Sequence, residues 1–182
     1  MNFRTKDLCY MALMAVLIAV CSWISIQTVV PFTLQTFAVF CALELLGGAR
    51  GTIAVAVYLL LGAVGVPVFA GFTGGLGILF GSTGGYLLGF LLTGLVYWLF
   101  ERLGRSLWLR VAALLLGLAL CYAFGTLWFI EVYSRANGPL SVMTALSWCV
   151  LPFLLPDGLK LALALLLSAR VKPLLKLDVA KA

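Results

Sequence analysis

Asp157 and Lys160 interrupt the most apolar part of the chain, the stretch from Leu151 to Leu167. Three residues apart on a helix, a carboxylate and an ammonium share one face. Ionisable groups at membrane depth are costly and mark functional sites by default. The chemistry on offer is recognition, because the carboxylate accepts from N–H groups and the ammonium donates to a carbonyl or a carboxylate. The structural alternative is an interfacial ion pair at a helix start, with Asp157 as the N-cap and Lys160 snorkelling to water. Gln35, which follows Phe32-Thr33-Leu34 at the start of another apolar segment, is either a cap or a ligand contact. Glu44 and Arg50, towards the far end of that segment, read as a structural pair.

Other chemistries lack their groups. The chain has no His, which removes the commonest metal ligand and the proton switch near neutrality, and it has no G-x-x-x-x-G-K-[ST] phosphate loop. Asp157 and Glu44 are the candidate carboxylates within apolar segments and fall towards opposite ends, so an intramembrane catalytic constellation is missing. The reading is a binding protein, not an enzyme, with no cofactor and no metal site. Cys9, Cys21, Cys41, Cys121 and Cys149 are far apart in apolar runs without a C-x-x-C pair, and read as small buried apolar groups.

The elements that must position these residues are membrane helices. Of 182 residues, 64% are hydrophobic and 10% charged, whereas a soluble domain has about 25% charged residues. A water-soluble domain is excluded. Six spans of about 20 residues would use about 120 and leave about 60 for loops and ends, which fits one membrane-embedded domain over residues 1–182. Apolar segments run from Asp7 to about Thr28, from the 29–33 connection to about Gly47, from Thr52 to about Val66, from near Gly81 to Arg102, and from about Leu107 to Glu131. A short apolar segment ends at Pro152, and a last span runs from near Pro156-Asp157 to Arg170. The first run exceeds a signal peptide's apolar core and has no small-x-small cleavage site, so it reads as a retained span.

With six spans, Arg4, Lys6, Arg50, Arg102, Arg105, Arg110, Arg170, Lys172, Lys176 and Lys181 lie on one side, ten of the twelve Lys and Arg. The positive-inside rule makes that side, and both termini, cytoplasmic. The net charge of +6 is then a topogenic signal and needs no nucleic-acid partner. The loops near residues 29–35, 67–80 and 132–156 fall outside. They carry Phe32, Phe69 and Phe72, with Trp128 nearby, and ten of the nineteen glycines lie between Gly62 and Gly89. Such glycines permit close helix packing, and such aromatics form interfacial belts. As a cluster they point to a pocket, because irregular backbone at membrane depth is tolerated only against protein or a water-lined cavity.

These residues resemble a known family. Val30-Pro31-Phe32-Thr33-Leu34-Gln35-Thr36-Phe37, Gly65-Val66-Pro67-Val68-Phe69-Ala70, Gly74-Gly75-Leu76-Gly77 with Gly81-Ser82-Thr83-Gly84-Gly85-Tyr86, and Pro152-Phe153 with Asp157 and Lys160 are similar, in order, to the BioY family. That family comprises the biotin-specific substrate-binding (S) components of energy-coupling factor (ECF) transporters. Two departures stand out: Ser82 replaces the usual Pro, and Leu155-Pro156-Asp157-Gly158-Leu159-Lys160 replaces Pro-Gly-Asp-Leu-Leu-Lys with the Asp–Lys spacing kept.

The resemblance implies an all-α, six-transmembrane-helix bundle in the cell membrane with structured Gly-rich external loops. It implies capture of biotin from outside and partnership with a transmembrane T component and two ABC-type ATPases. Ala15 and Ala19 match the A-x-x-x-A pattern by which S components meet the T component, and Ala12 extends it; an internal contact would look identical in sequence. Asp157 would accept from the ureido N–H groups of biotin, and Lys160 would donate to the ureido carbonyl or the carboxylate. Phe32, Phe69, Trp128 and Tyr86 would wall the apolar part, with Gly74 and Gly75 at the site and Thr33 and Gln35 beside it. An S component for another vitamin and a self-sufficient small carrier are the alternatives.

Overall fold

A computed structural model describes residues 4–26 and 28–175 of the chain, so that Lys176 and Lys181 lie outside the described residues. Helix α1 covers Thr5–Trp23, and a two-residue ribbon follows in which β1 (Ser25–Ile26) pairs antiparallel with β2 (Phe32–Thr33). Then come α2 (Gln35–Leu46), α3 (Gly48–Ala63), the single turn α4 (Leu76–Leu79), α5 (Gly84–Leu103), α6 (Leu107–Asn137), α7 (Val142–Cys149), α8 (Leu151–Val171) and a closing 3-10 turn, Lys172–Leu174. Among the described residues, Thr5–Trp23, Gly84–Leu103, Leu107–Asn137 and the stretch Val142–Leu174 are long and apolar enough to cross a membrane. The apolar helices α2 and α3 have 12 and 16 residues, about 18 and 24 Å at 1.5 Å per residue, short of a ~30 Å hydrocarbon core.

Local signals place the boundaries. Asp7 accepts the Arg4 N–H at 3.1 Å at the start of α1, and the Ser106 and Ser141 hydroxyls accept first-turn N–H groups of α6 and α7. Gly47, at φ 83, lets α2 stop and α3 start without a linker, so the third helix begins four residues before the expected Thr52. The first span ends at Trp23 and not near Thr28, because the chain there enters the ribbon. The last helix starts at Leu151 and carries Pro156 inside it. Asp157 is therefore an interior helix residue and not an N-cap.

Helix α2 is the hub. Apart from Phe37, every one of its residues is buried, and α1, α3, α5 and α8 all touch it. That matches its composition, since a helix apolar all round has no face suited to water. Helices α5 and α6 form the tightest pair. The Thr93 hydroxyl lies between them, within reach of the Gly89 carbonyl at 3.1 Å and the Gly117 carbonyl at 3.0 Å, the small-residue contact that brings membrane helices together. The outer faces are apolar, with Leu155, Leu159, Leu163 and Leu166 exposed along α8 and Leu13, Val16 and Val20 along α1. A soluble protein rarely exposes apolar surface on this scale.

The end carrying Arg4, Arg50, Arg102 and Arg170 is laced by ion pairs. Glu44, fully buried, accepts from Tyr97 Oη at 3.0 Å and from Arg110, while Arg50 turns to Asp7 of α1 at 3.3 Å. The expected Glu44–Arg50 pair is thus replaced by two separate ones, because the break at Gly47 sends α3 back beside α1 while Glu44 faces α5 and α6. At the opposite end the 64–75 segment is held to the end of α1. Ser22 Oγ donates to the Val68 carbonyl, Trp23 Nε1 donates to the Pro67 carbonyl at 2.9 Å, and Phe72 stacks on Trp23 with centroids 5.0 Å apart.

Two expectations about small residues are corrected. Ala15 and Ala19 are 1% and 5% exposed within the chain itself, on the face of α1 that meets α2 and α3, whereas Ala12 is exposed. Residues 12, 15 and 19 therefore do not form one outward stripe: Ala15 and Ala19 are internal packing, and Ala12 alone faces outward. Cys9 is exposed, whereas Cys21, Cys41, Cys121 and Cys149 are buried, and all five are free. Accordingly, Ala15→Trp should overpack the α1 interface, at a cost of about 1 to 3 kcal/mol, and lower the melting temperature of the protein in detergent by several degrees. Val16→Trp, one residue on and outward, should leave it within error.

Candidate ligand-binding site

Between the helix ends that carry the ribbon and the 64–75 segment lies a cavity of about 260 Å³. Helices α2, α4, α5, α6, α7 and α8, the ribbon and one loop build its wall. Phe153, Asp157 and Lys160 line it from α8 at the i, i+4, i+7 spacing of a single helix face. Leu118, Cys121 and Tyr122 do so from α6, Thr83, Tyr86, Leu87 and Phe90 from α5 and the turn before it, Gln35 and Thr36 from the first turn of α2, and Phe69 and Thr73 from the loop. The surface is mainly apolar with a few placed polar groups, the usual make-up of a small-molecule site.

Its electrostatic centre is the pair read from sequence. Lys160 Nζ lies 2.7 Å from Asp157 Oδ1, and the two residues are 5% and 2% exposed. Both charges are therefore out of water, which overturns the snorkelling alternative. Tyr122 Oη donates to the other carboxylate oxygen, Oδ2, at 2.5 Å. The ammonium also stands 4.3 Å from the centroid of the Phe32 ring, a cation–π contact, and Phe32 stacks in turn on Phe153 with centroids 5.6 Å apart. Two buried charges are tolerable only when paired and hydrogen-bonded. The carboxylate has the ammonium and the phenol, and the ammonium has the carboxylate and the ring. The pair is electrically neutral as a unit.

Other expected site residues fall into two groups. Phe69, Tyr86, Thr33 and Gln35 line the cavity, and Phe32 reaches it through Lys160. Tyr86 is fixed by a hydrogen bond with Thr126 Oγ1 at 2.9 Å. Its ring lies on Gly125, where a Cβ would come within 2.2 Å of Cδ1, so only glycine fits there. Gly74, Gly75 and Trp128 stand behind the wall. Gly75 N–H donates to the Gly62 carbonyl at 2.7 Å, and the Phe69 N–H donates to the Thr73 carbonyl at 2.9 Å, closing the loop that presents Phe69. A Cβ on Gly74 would meet the Val66 carbonyl oxygen at 2.3 Å. Trp128 Nε1 donates to the Gly81 carbonyl at 2.9 Å, tying α6 to the start of α5. These three residues position the lining without forming it.

Sequence reasoning missed Tyr122, Thr36, Phe90, Cys121, Cys149 and the direct role of Phe153. Tyr122 alone carried a signal, as a phenol in the middle of an apolar segment whose hydroxyl needs a buried partner.

Fold and site define a class, a multi-pass membrane protein that encloses a small-ligand cavity among its helices. The chain belongs to the BioY family, whose family model matches residues 1–177. It is 43% identical over 159 residues to the biotin transporter BioY of Thermotoga maritima, covering 87% of this chain and 90% of that protein. It is 34% identical over 170 residues to the probable biotin transporter BioY of Pyrococcus horikoshii, covering 93% and 98%. A crystal structure of the S-component for biotin from an ECF-type ABC transporter superposes with a TM-score of 0.81 at 27% identity, covering 94% of this chain and 95% of that one.

The pairing of charges has a measurable signature. Lys160→Met leaves a buried carboxylate with Tyr122 alone, and removal of one partner of a buried pair costs about 3 to 5 kcal/mol. The ligand-free protein should melt well below wild type. The double variant Asp157→Asn/Lys160→Met should recover part of the loss, as read by thermal unfolding in detergent.

Proposed function

We propose that this chain is the biotin-capturing S component of an ECF-type uptake transporter in the cell membrane. It takes biotin from outside and passes it inward through a T component driven by two ABC-type ATPases. The observation that carries the reading is the buried Asp157–Lys160 pair in the wall of an otherwise apolar cavity, in a chain that belongs to the BioY family. Biotin has a bicyclic head with two N–H donors and a carbonyl, an apolar body, and a carboxylate tail. Asp157 accepts from a ureido N–H, and the apolar body lies against Phe69, Tyr86 and Phe153.

In this reading the chain crosses the bilayer six times, with α2 and α3 as two short central spans shielded by longer neighbours and α7 and α8 together as the last. The alternation puts Arg4, the α2–α3 break, the α5–α6 turn and Arg170 on the cytoplasmic side, with both termini, and opens the cavity to the outside. The absence of a phosphate loop from the sequence fits a subunit that borrows its energy from partner ATPases. The whole chain, 1–182, then acts as one substrate-binding domain.

Calorimetric titration of the purified chain with biotin tests the assignment. Tight biotin binding and none of lipoate is the expected result. Losing a charge-assisted hydrogen bond costs about 1.5 to 3 kcal/mol, so Asp157→Asn should weaken binding by about tenfold to a hundredfold or more at 1.4 kcal/mol per decade. Undiminished biotin affinity in both Asp157→Asn and Lys160→Met would sink the site, and tight binding of another vitamin with none of biotin would sink the substrate.

A further inference from the structure

Gln35 presents a buried polar group that the protein leaves unused. The residue is 3% exposed and lines the cavity, and its Nε2 has no hydrogen-bond partner among the described residues. Nor is the side chain a helix cap. The Gln35 backbone N–H is already taken by Thr33 Oγ1 at 3.2 Å, and no side chain caps α2. An unsatisfied amide in a protein interior costs on the order of a hydrogen bond or more, and such a group beside a cavity has the cavity's occupant as its remaining partner.

The chemistry of that occupant follows from charge. Lys160, the ammonium in the wall, is balanced by Asp157 at 2.7 Å. A carboxylate brought against Gln35 would be a buried anion facing a neutral amide, and desolvating an unpaired charge is far more costly than desolvating a carbonyl. A neutral carbonyl satisfies the Gln35 N–H without adding charge. A cyclic urea is the group that places such a carbonyl next to N–H donors, and it needs one acceptor and one donor converging from the wall. Asp157 is the acceptor. We infer that Gln35 is the specificity-determining donor to the urea carbonyl of the ligand, so that Lys160 serves as counter-ion of Asp157 and the ligand's carboxylate points to the open mouth of the cavity. The inference rests on the reading of the cavity as a biotin site.

The test uses the purified full chain in detergent and three probes: biotin, biotin methyl ester, and 2-iminobiotin, a cyclic guanidine that is protonated near neutral pH and presents N–H donors in place of the urea oxygen. Wild type should prefer biotin to 2-iminobiotin. Gln35→Ala should weaken biotin and its methyl ester alike, by about tenfold to a hundredfold. Gln35→Glu, an acceptor of nearly the same length, should shift the biotin to 2-iminobiotin preference by at least about tenfold towards the imine. Gln35→Met keeps the length without the amide and serves where Gln35→Ala melts early. A preference unchanged in both Gln35→Glu and Gln35→Met overturns the inference, as does a loss seen with the free acid but not with its ester, which would put Gln35 on the tail. Wild-type protein that binds no biotin at all overturns the parent reading instead, so the two failures are distinguishable.

Discussion

Inside a bilayer a polar group has no water to turn to, and this constraint organises the whole chain. Backbone groups meet it by forming helices. Side chains meet it by pairing, and the pairs fall at the two ends of the hub helix α2. Glu44 near its last turn draws in Tyr97 and Arg110, and the chain around its first turn lines the cavity that holds Asp157 and Lys160. Glu44 lies nine positions after Gln35, about 13 Å along the axis, and none of the eight residues between them is charged. The ion-pair cluster and the polar groups of the cavity are thereby kept apart by an apolar plug.

The cavity wall depends on residues that never touch its interior. Gly125 makes room for the Tyr86 ring, Trp128 fastens the turn from which α5 departs, and the Gly62–Gly75 bond closes the loop carrying Phe69. Close approach accounts for part of the glycine density between residues 62 and 89, since a Cβ on Gly62, Gly84 or Gly85 would collide with Phe69, Leu79 or Trp128, whereas Gly65, Gly71 and Gly75 serve at positive φ.

Much of this was legible in the sequence where the physics is one-dimensional. Hydropathy located the long helices, and an i, i+3 charge pair in an apolar run marked residues that are buried together in the cavity wall. What escaped depended on direction. The A-x-x-x-A spacing of Ala15 and Ala19 fixes a helix face but not which way the face turns, and α1 turns it inward. Glu44 and Arg50 are close in sequence, but the break at Gly47 reverses the chain between them, so their partners come from α6 and α1. Tyr122 lies 35 residues from Asp157 and meets it only because α6 and α8 flank the same cavity. The Pro156 position marked a helix start by the usual rule, yet α8 begins a turn earlier with Pro152 in its first turn.

The neutrality of the Asp157–Lys160 pair has an electrical consequence. Moving one elementary charge across a membrane involves about 2.3 kcal/mol per 100 mV. A pair whose buried charges cancel carries no net charge for that voltage to act on. In the transporter proposed above, the only uncompensated charge to cross is the cargo's own carboxylate. The work of driving an anion into a negatively polarised cell then falls entirely on the ATP-hydrolysing partners and not on the binding subunit.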